Sequence, residues 1–286
     1  MAKIGVQVMM LKTSFEEVGP FETLRKVSEI GYNAVEISQI SMSPENVAEM
    51  ARARDELGMD IASLSAGLEP MPGRGGEALT TDFDKIVADC TTLGSENLRI
   101  GMLPFSAMAS LETALEFCRT SNEVAGRLAE HGVNLYYHNH HIEFARFDGI
   151  PLLDIINENA PNMRLELDVH WVQRGGNDPV TALKKYADRT DLVHLKDYRI
   201  GQLPPEAFDS LAKGDFAAFM NAFTGVVQFA EVGEGNLDFK GIIDQAVSAG
   251  VKYLFVEQDD PYGRDPFDCL ITSRENLLAL GFADLF

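Results

Sequence analysis

The chain has 286 residues, 45% of them hydrophobic, and a mean hydropathy near zero, which excludes a disordered chain and allows one large core or two smaller ones. With 44 acidic against 24 basic residues, its formal charge of −20 would repel nucleic-acid phosphates and anionic membrane surfaces. No run of Lys and Arg interleaved with aromatics offsets that charge, so small neutral ligands are expected rather than nucleic acid or lipid.

The opening "MAKIGVQVMMLKTSFEE" turns polar too soon for a signal peptide, and no apolar run approaches the roughly 20 residues needed to cross a bilayer. Cys90, Cys118 and Cys269 are odd in number, far apart and without a CxxC, so neither a disulfide framework nor a thiolate metal site is expected. Both features suit a cytoplasmic protein.

Eight short β-branched or apolar runs follow in order: residues 3–9, 34–38, 60–66, 97–101, 133–139, 163–170, 191–197 and 252–258. The stretches between them carry helical patterns, such as "PFETLRKVSEIG", which starts on Pro20 and stops at Gly31, and the long amphipathic run ending at Gly132. Strand, helix, strand at intervals of roughly 30 residues signals βαβ units and a parallel sheet. Eight units predict a single (β/α)8 TIM barrel over residues 1–286, with no low-complexity linker to divide it. The competing open doubly wound sheet is disfavoured because no GxGxxG follows the first strand. The long stretch between the seventh and eighth strands, with Gly233 and Gly235 in "EVGEG", is expected to be an elaborated loop containing a short hairpin.

In a barrel, alternate side chains face the helices or the axis. Apolar residues, all aliphatic but Tyr137, mark the helix-facing set: Val6, Val8, Val35, Ile37, Val133, Leu135, Tyr137, Leu165, Leu167, Val169, Val193, Leu195, Leu254 and Val256. That sends Gln7, Glu36, Asn134, Tyr136, His138, His140, Glu166, Asp168, His170, His194, Lys196, Phe255 and Glu257 inward. Ionisable groups therefore converge near the C-terminal ends of the strands, where barrel enzymes build active sites. Several buried carboxylates need a cation, hydrogen bonds or protonation, and a divalent metal would supply the positive charge. The mixed oxygen and nitrogen donors suit Mn, Co, Zn, Mg or Fe. One inward histidine is more often a core residue than a ligand, but five of the six histidines sit at predicted ends of strands five to seven, which reverses that expectation. His131, in "EHG", is read as a solvated helix end.

The motifs "YYHNHHIEF", "LELDVHWVQRGGNDP", "LVHLKD", "EVGEG" and "YLFVEQD", in that order, resemble the successive strand ends of the sugar phosphate isomerase/epimerase superfamily, with its xylose isomerase-like barrel. The subgroup with a "YHNH…E" pattern includes inosose dehydratases, 3-keto-glycoside epimerases and lyases, and C-glycoside deglycosidase catalytic subunits. The resemblance implies one divalent ion, most often Mn, held by Asp168, His194 and Glu257, with Glu143 as the first ligand because His138 stands where many members place a glutamate. It implies acid/base roles for Glu143, Glu257, His138 and His140, and substrate contacts for Gln7, Glu36, His170, Trp171 and Lys196. The implied activity is isomerisation or epimerisation of a ketose or keto-sugar through an enediolate. Its alternative is a lyase expelling a β-leaving group from a 3-keto-glycoside, by dehydration or by C- or O-glycoside cleavage. A homo-oligomer, or a hetero-complex with a small second subunit, is compatible with the same resemblance. An abasic-site endonuclease on this barrel is disfavoured by the −20 charge. A non-catalytic sugar-binding protein is the reading from another class.

Overall fold

A computed structural model describes residues 2–70 and 76–286. Eight parallel strands close into a barrel: β1 (Lys3–Gln7), β2 (Ala34–Ile37), β3 (Asp60–Ala66), β4 (Asn97–Ile100), β5 (Asn134–His138), β6 (Arg164–Asp168), β7 (Thr190–Leu195) and β8 (Tyr253–Val256). They lie around the barrel in sequence order, and β8 pairs with β1 to complete the ring. The expected TIM barrel is what the chain forms.

Aliphatic alternation drives closure. Val6, Val35, Ile37, Leu98, Ile100, Leu135, Leu165, Leu167, Val193, Leu195, Leu254 and Val256 are buried in the main core between the strands and the surrounding helices. At roughly 1.5–3 kcal/mol for each large aliphatic side chain, this layer is the dominant stabilising term. A second, smaller cluster of Ala62, Tyr136, Leu192 and Phe255 fills the barrel axis from below. β1 also packs closely on β2: a Cβ added at Gly5 would lie 2.5 Å from the Ala34 carbonyl oxygen.

Helix signals in the sequence act where expected. Ser110 and Thr113 form a capping box that starts the helix Leu111–Ala129, and Pro20 opens the helix Pro20–Ile30, which stops at left-handed Gly31. The stretch after β7 is more elaborate than a simple loop. Antiparallel strands Asp197–Ile200 and Val227–Ala230 form the stem of an excursion whose tip carries the helices Pro205–Ala212 and Phe216–Thr224. The sixth predicted strand ends early: β6 stops at Asp168, and Val169–Arg174 is a helical turn. There Asp168 Oδ1 accepts the Trp171 N–H at 3.0 Å, so the N-cap ends the strand. Among the described residues, no helix is long and apolar enough to cross a membrane.

Candidate metal centre

The barrel interior is polar above the Ala62, Tyr136, Leu192 and Phe255 plug, and its charged residues form two tiers. In the upper tier, one ligand-type atom each from His138, Asp168, His194 and Glu257 lies within 4.8 Å of the others, and all four residues are buried. Strand register explains the convergence, because β5, β6 and β7 are neighbours and Asp168 is directly opposite His194. His138 Nε2 lies 3.4 Å from Asp168 Oδ2, and His194 Nδ1 lies 3.8 Å from that oxygen and 2.8 Å from Glu257 Oε2. Gln7 on β1 donates to Glu257 Oε1 at 2.7 Å. Lys196 Nζ lies 3.4 Å from Glu257 Oε2 and donates to Asp259 Oδ1 at 2.6 Å.

Beneath, on the other side of the His194 ring, Nε2 lies 2.9 Å from Glu36 Oε1 and 3.3 Å from Glu166 Oε1. Arg99 of β4 places Nε 2.7 Å from Glu36 and 3.2 Å from Glu166.

Burial drives the His138 imidazole well below its ordinary value, and the positive charges of His194 and Arg99 act in the same sense. It therefore presents a neutral ring. Burial also opposes charge on His194, but Glu166, Glu257 and Glu36 outweigh it and hold that ring well above its ordinary value. Burial raises the Asp168 and Glu166 carboxyls, the latter with help from Glu36. Glu257 goes the other way, since Lys196 and His194 overcome the cost of burying it.

The sequence-predicted residues divide by position. His138, Asp168, His194 and Glu257 meet, with Gln7 and Lys196 against them. Glu143 does not join them. It lies in the 3-10 turn Ile142–Phe144, where Tyr137 donates its hydroxyl to Oε1 at 2.5 Å and the His140 amide donates to Oε2 at 2.8 Å. With both oxygens engaged, it braces the loop leaving β5, and the β5 residue in the cluster is His138. Glu36 is likewise not at the mouth but in the lower tier, fully buried. His140, His170 and Trp171 form the mouth: the His140 ring lies 4.8 Å from His138 and 5.5 Å from Trp171, and His170 packs 4.6 Å from Trp171. Burial drives His140 to about 3 and His170 to about 4. Trp171 and Phe229, the latter from the excursion, hold the Lys196 ammonium 5.1 and 5.2 Å from their ring centres.

Arg99, Phe229 and Asp259 were not singled out from sequence. Alternation in "NLRIG" carried the signal for Arg99, since Leu98 and Ile100 face the helices. Phe229 and Asp259 lie beyond strand ends, where no periodicity points.

The mixed set of two imidazoles and two carboxylates fits a divalent ion. Among the described residues, the buried atoms His138 Nε2 and Asp168 Oδ2 have no hydrogen-bond partner, and both face the cluster.

Known proteins share this architecture. The family model described as a xylose isomerase-like TIM barrel matches residues 24–272. An inosose dehydratase from Geobacillus thermodenitrificans is 27% identical over 157 residues, covering 54% of this chain and 50% of that protein, so the chain spans about half the length of the curated relatives it matches. A sugar phosphate isomerase/epimerase structure from Parabacteroides distasonis superposes with a TM-score of 0.74 at 22% identity, covering 99% of both chains. The apo 3-keto-D-glucoside 4-epimerase from E. coli superposes with a TM-score of 0.64 at 18% identity, covering 98% of this chain and 99% of that one.

Proposed function

Because the chain belongs to the xylose isomerase-like TIM barrel family, we propose that it is a divalent-metal-dependent isomerase or epimerase that removes and returns a proton beside the carbonyl of a ketose or keto-sugar. The observation that supports this most is the four-residue donor group with its unpartnered His138 and Asp168 atoms. In this reading His138, Asp168, His194 and Glu257 hold the ion, with His138 taking the place first given to Glu143. Mn is the leading choice for this donor set, and Mg, Co, Zn and Fe are acceptable to it. When bound, the ion supplies Lewis-acid polarisation of the carbonyl and stabilises the enediolate charge.

The chain's own residues do the rest. Glu257, oriented by Gln7, is the carboxylate available for proton transfer. His140, kept neutral by burial, is its candidate partner at the mouth. Lys196 holds a positive charge near the developing oxyanion, while Trp171 and His170 offer an aromatic wall to a sugar face. Trp171 Nε1, His140 Nδ1 and His170 Nδ1 are buried polar atoms available for substrate hydroxyls.

One observation favours a second reading, a lyase. The residue that β5 brings to the cluster is His138, a neutral imidazole, rather than a carboxylate. A site with Glu257 as its base and no second carboxylate from β5 to return a proton on the opposite face suits expulsion of a β-leaving group, as dehydration or glycoside cleavage, and the inosose dehydratase similarity points the same way. Incubating Mn-loaded protein with a panel of free ketoses and 3-keto-glycosides in D2O, followed by NMR, separates the two. A deuterated epimer supports the first reading, and an unsaturated ketone with a released group supports the second. No exchange with any keto-sugar would end both.

A further inference from the structure

The lower tier is a second group of ligand-type side chains. Glu36, Glu166 and His194 bring three ligand-type atoms within 4.8 Å of one another, and all three residues are fully buried. Three of their four carboxylate oxygens, Glu36 Oε2 and both of Glu166, have no hydrogen-bond partner among the described residues. Two buried carboxylates without compensation would cost several kcal/mol each. The compensation is Arg99, itself 4% exposed. Its Nε lies within salt-bridge distance of both carboxylates but outside hydrogen-bond direction, so it acts chiefly as a charge. Nη2 donates to Ser38 Oγ at 2.9 Å, and room for the guanidinium depends on Gly101, where an added Cβ would lie 2.9 Å from Nη1.

We propose that Arg99 is the resident cation of a second metal-type site formed by Glu36, Glu166 and His194, and that its guanidinium keeps the barrel's centre to a single ion. The single-ion count rests on the reading above; the occupancy of the lower tier by Arg99 does not. A guanidinium is permanently charged and cannot leave, so the lower face of His194 stays fixed whether or not an ion lies above it. Removing the guanidinium leaves two unpaired carboxylates next to the His194 ring, and their oxygens are donors that accept a divalent ion.

The test is Mn content by elemental analysis after dialysis, with Mn EPR, on folded wild type, R99A and R99M. R99M retains the bulk of the side-chain stem without its charge. Both variants are expected to hold one more Mn per chain than wild type, and R99M/E36Q is expected to lose that extra ion. Where both tiers hold an ion, the EPR spectrum should show a coupled pair. If wild type holds no Mn and R99M holds one, the upper-site reading fails while this proposal stands. Equal Mn content in wild type and the folded variants overturns it, as does failure of both variants to fold at any Mn concentration.

Discussion

Glu143 and His138 compete for one role, and the structure separates their contributions. In E143Q the amide oxygen can keep one of the two bonds that the carboxylate accepts from Tyr137 and His140, while the amide NH2 can donate to the Tyr137 oxygen once that hydroxyl turns. Two charge-assisted bonds become neutral ones, a loss of about 1–3 kcal/mol in stability, offset in part by no longer burying a charge. The Mn affinity should change by less than the roughly 10–100-fold typical of a group bonded directly to a ligand. H138N removes the Nε2 that faces Asp168 Oδ2, and its effect should exceed that range. Titration calorimetry of the apo proteins with Mn, beside urea unfolding, measures both quantities. An E143Q variant that loses more Mn affinity than H138N would refute the reasoning and return the first ligand to Glu143.

Three further outcomes follow from buried groups around the site. Asp197 accepts five backbone N–H groups, from Tyr198, Gly233, Gly235, Asn236 and Leu237, so D197N must turn an NH2 toward at least two of them, and urea unfolding should show a loss of about 2–6 kcal/mol. G235A should destabilise comparably, because the new Cβ would lie 2.3 Å from both Asp197 Oδ1 and the Tyr198 carbonyl oxygen; a thermal melt unchanged from wild type would contradict this. K196M leaves Asp259, Glu257 and Asp168 without their shared cation, and should cost about 3–5 kcal/mol, measured by urea unfolding without metal and partly recovered on adding Mn.

Strand alternation made most of this site legible in advance. Leu165 and Leu167 bracketing Glu166, or Val193 and Leu195 bracketing His194, fixed which side chains face the axis, and the parallel register then brings them together. The same logic applied to Leu98 and Ile100 places Arg99 inside, but its meaning depends on two carboxylates from other strands, a pairing that no local pattern reveals. Where strands end, alternation ends too. Asp168 caps a helix and sets His170 and Trp171 by helical rather than strand geometry. The turn after β5 is set by the bonds that Glu143 accepts from Tyr137 and the His140 amide, which engage both of its carboxylate oxygens. The excursion was foreseen as a loop with a hairpin, yet its two helices were not: Phe216–Thr224 has no charged residue to mark a polar face, and Pro205–Ala212 is only eight residues long.

The most direct test of the metal centre is an anomalous difference map from crystals of the Mn-loaded protein. The account predicts one peak within ligand distance of His138, Asp168, His194 and Glu257, with Glu143 still bonded to Tyr137. A peak coordinated by Glu143, or no ordered Mn among those four residues, would contradict it.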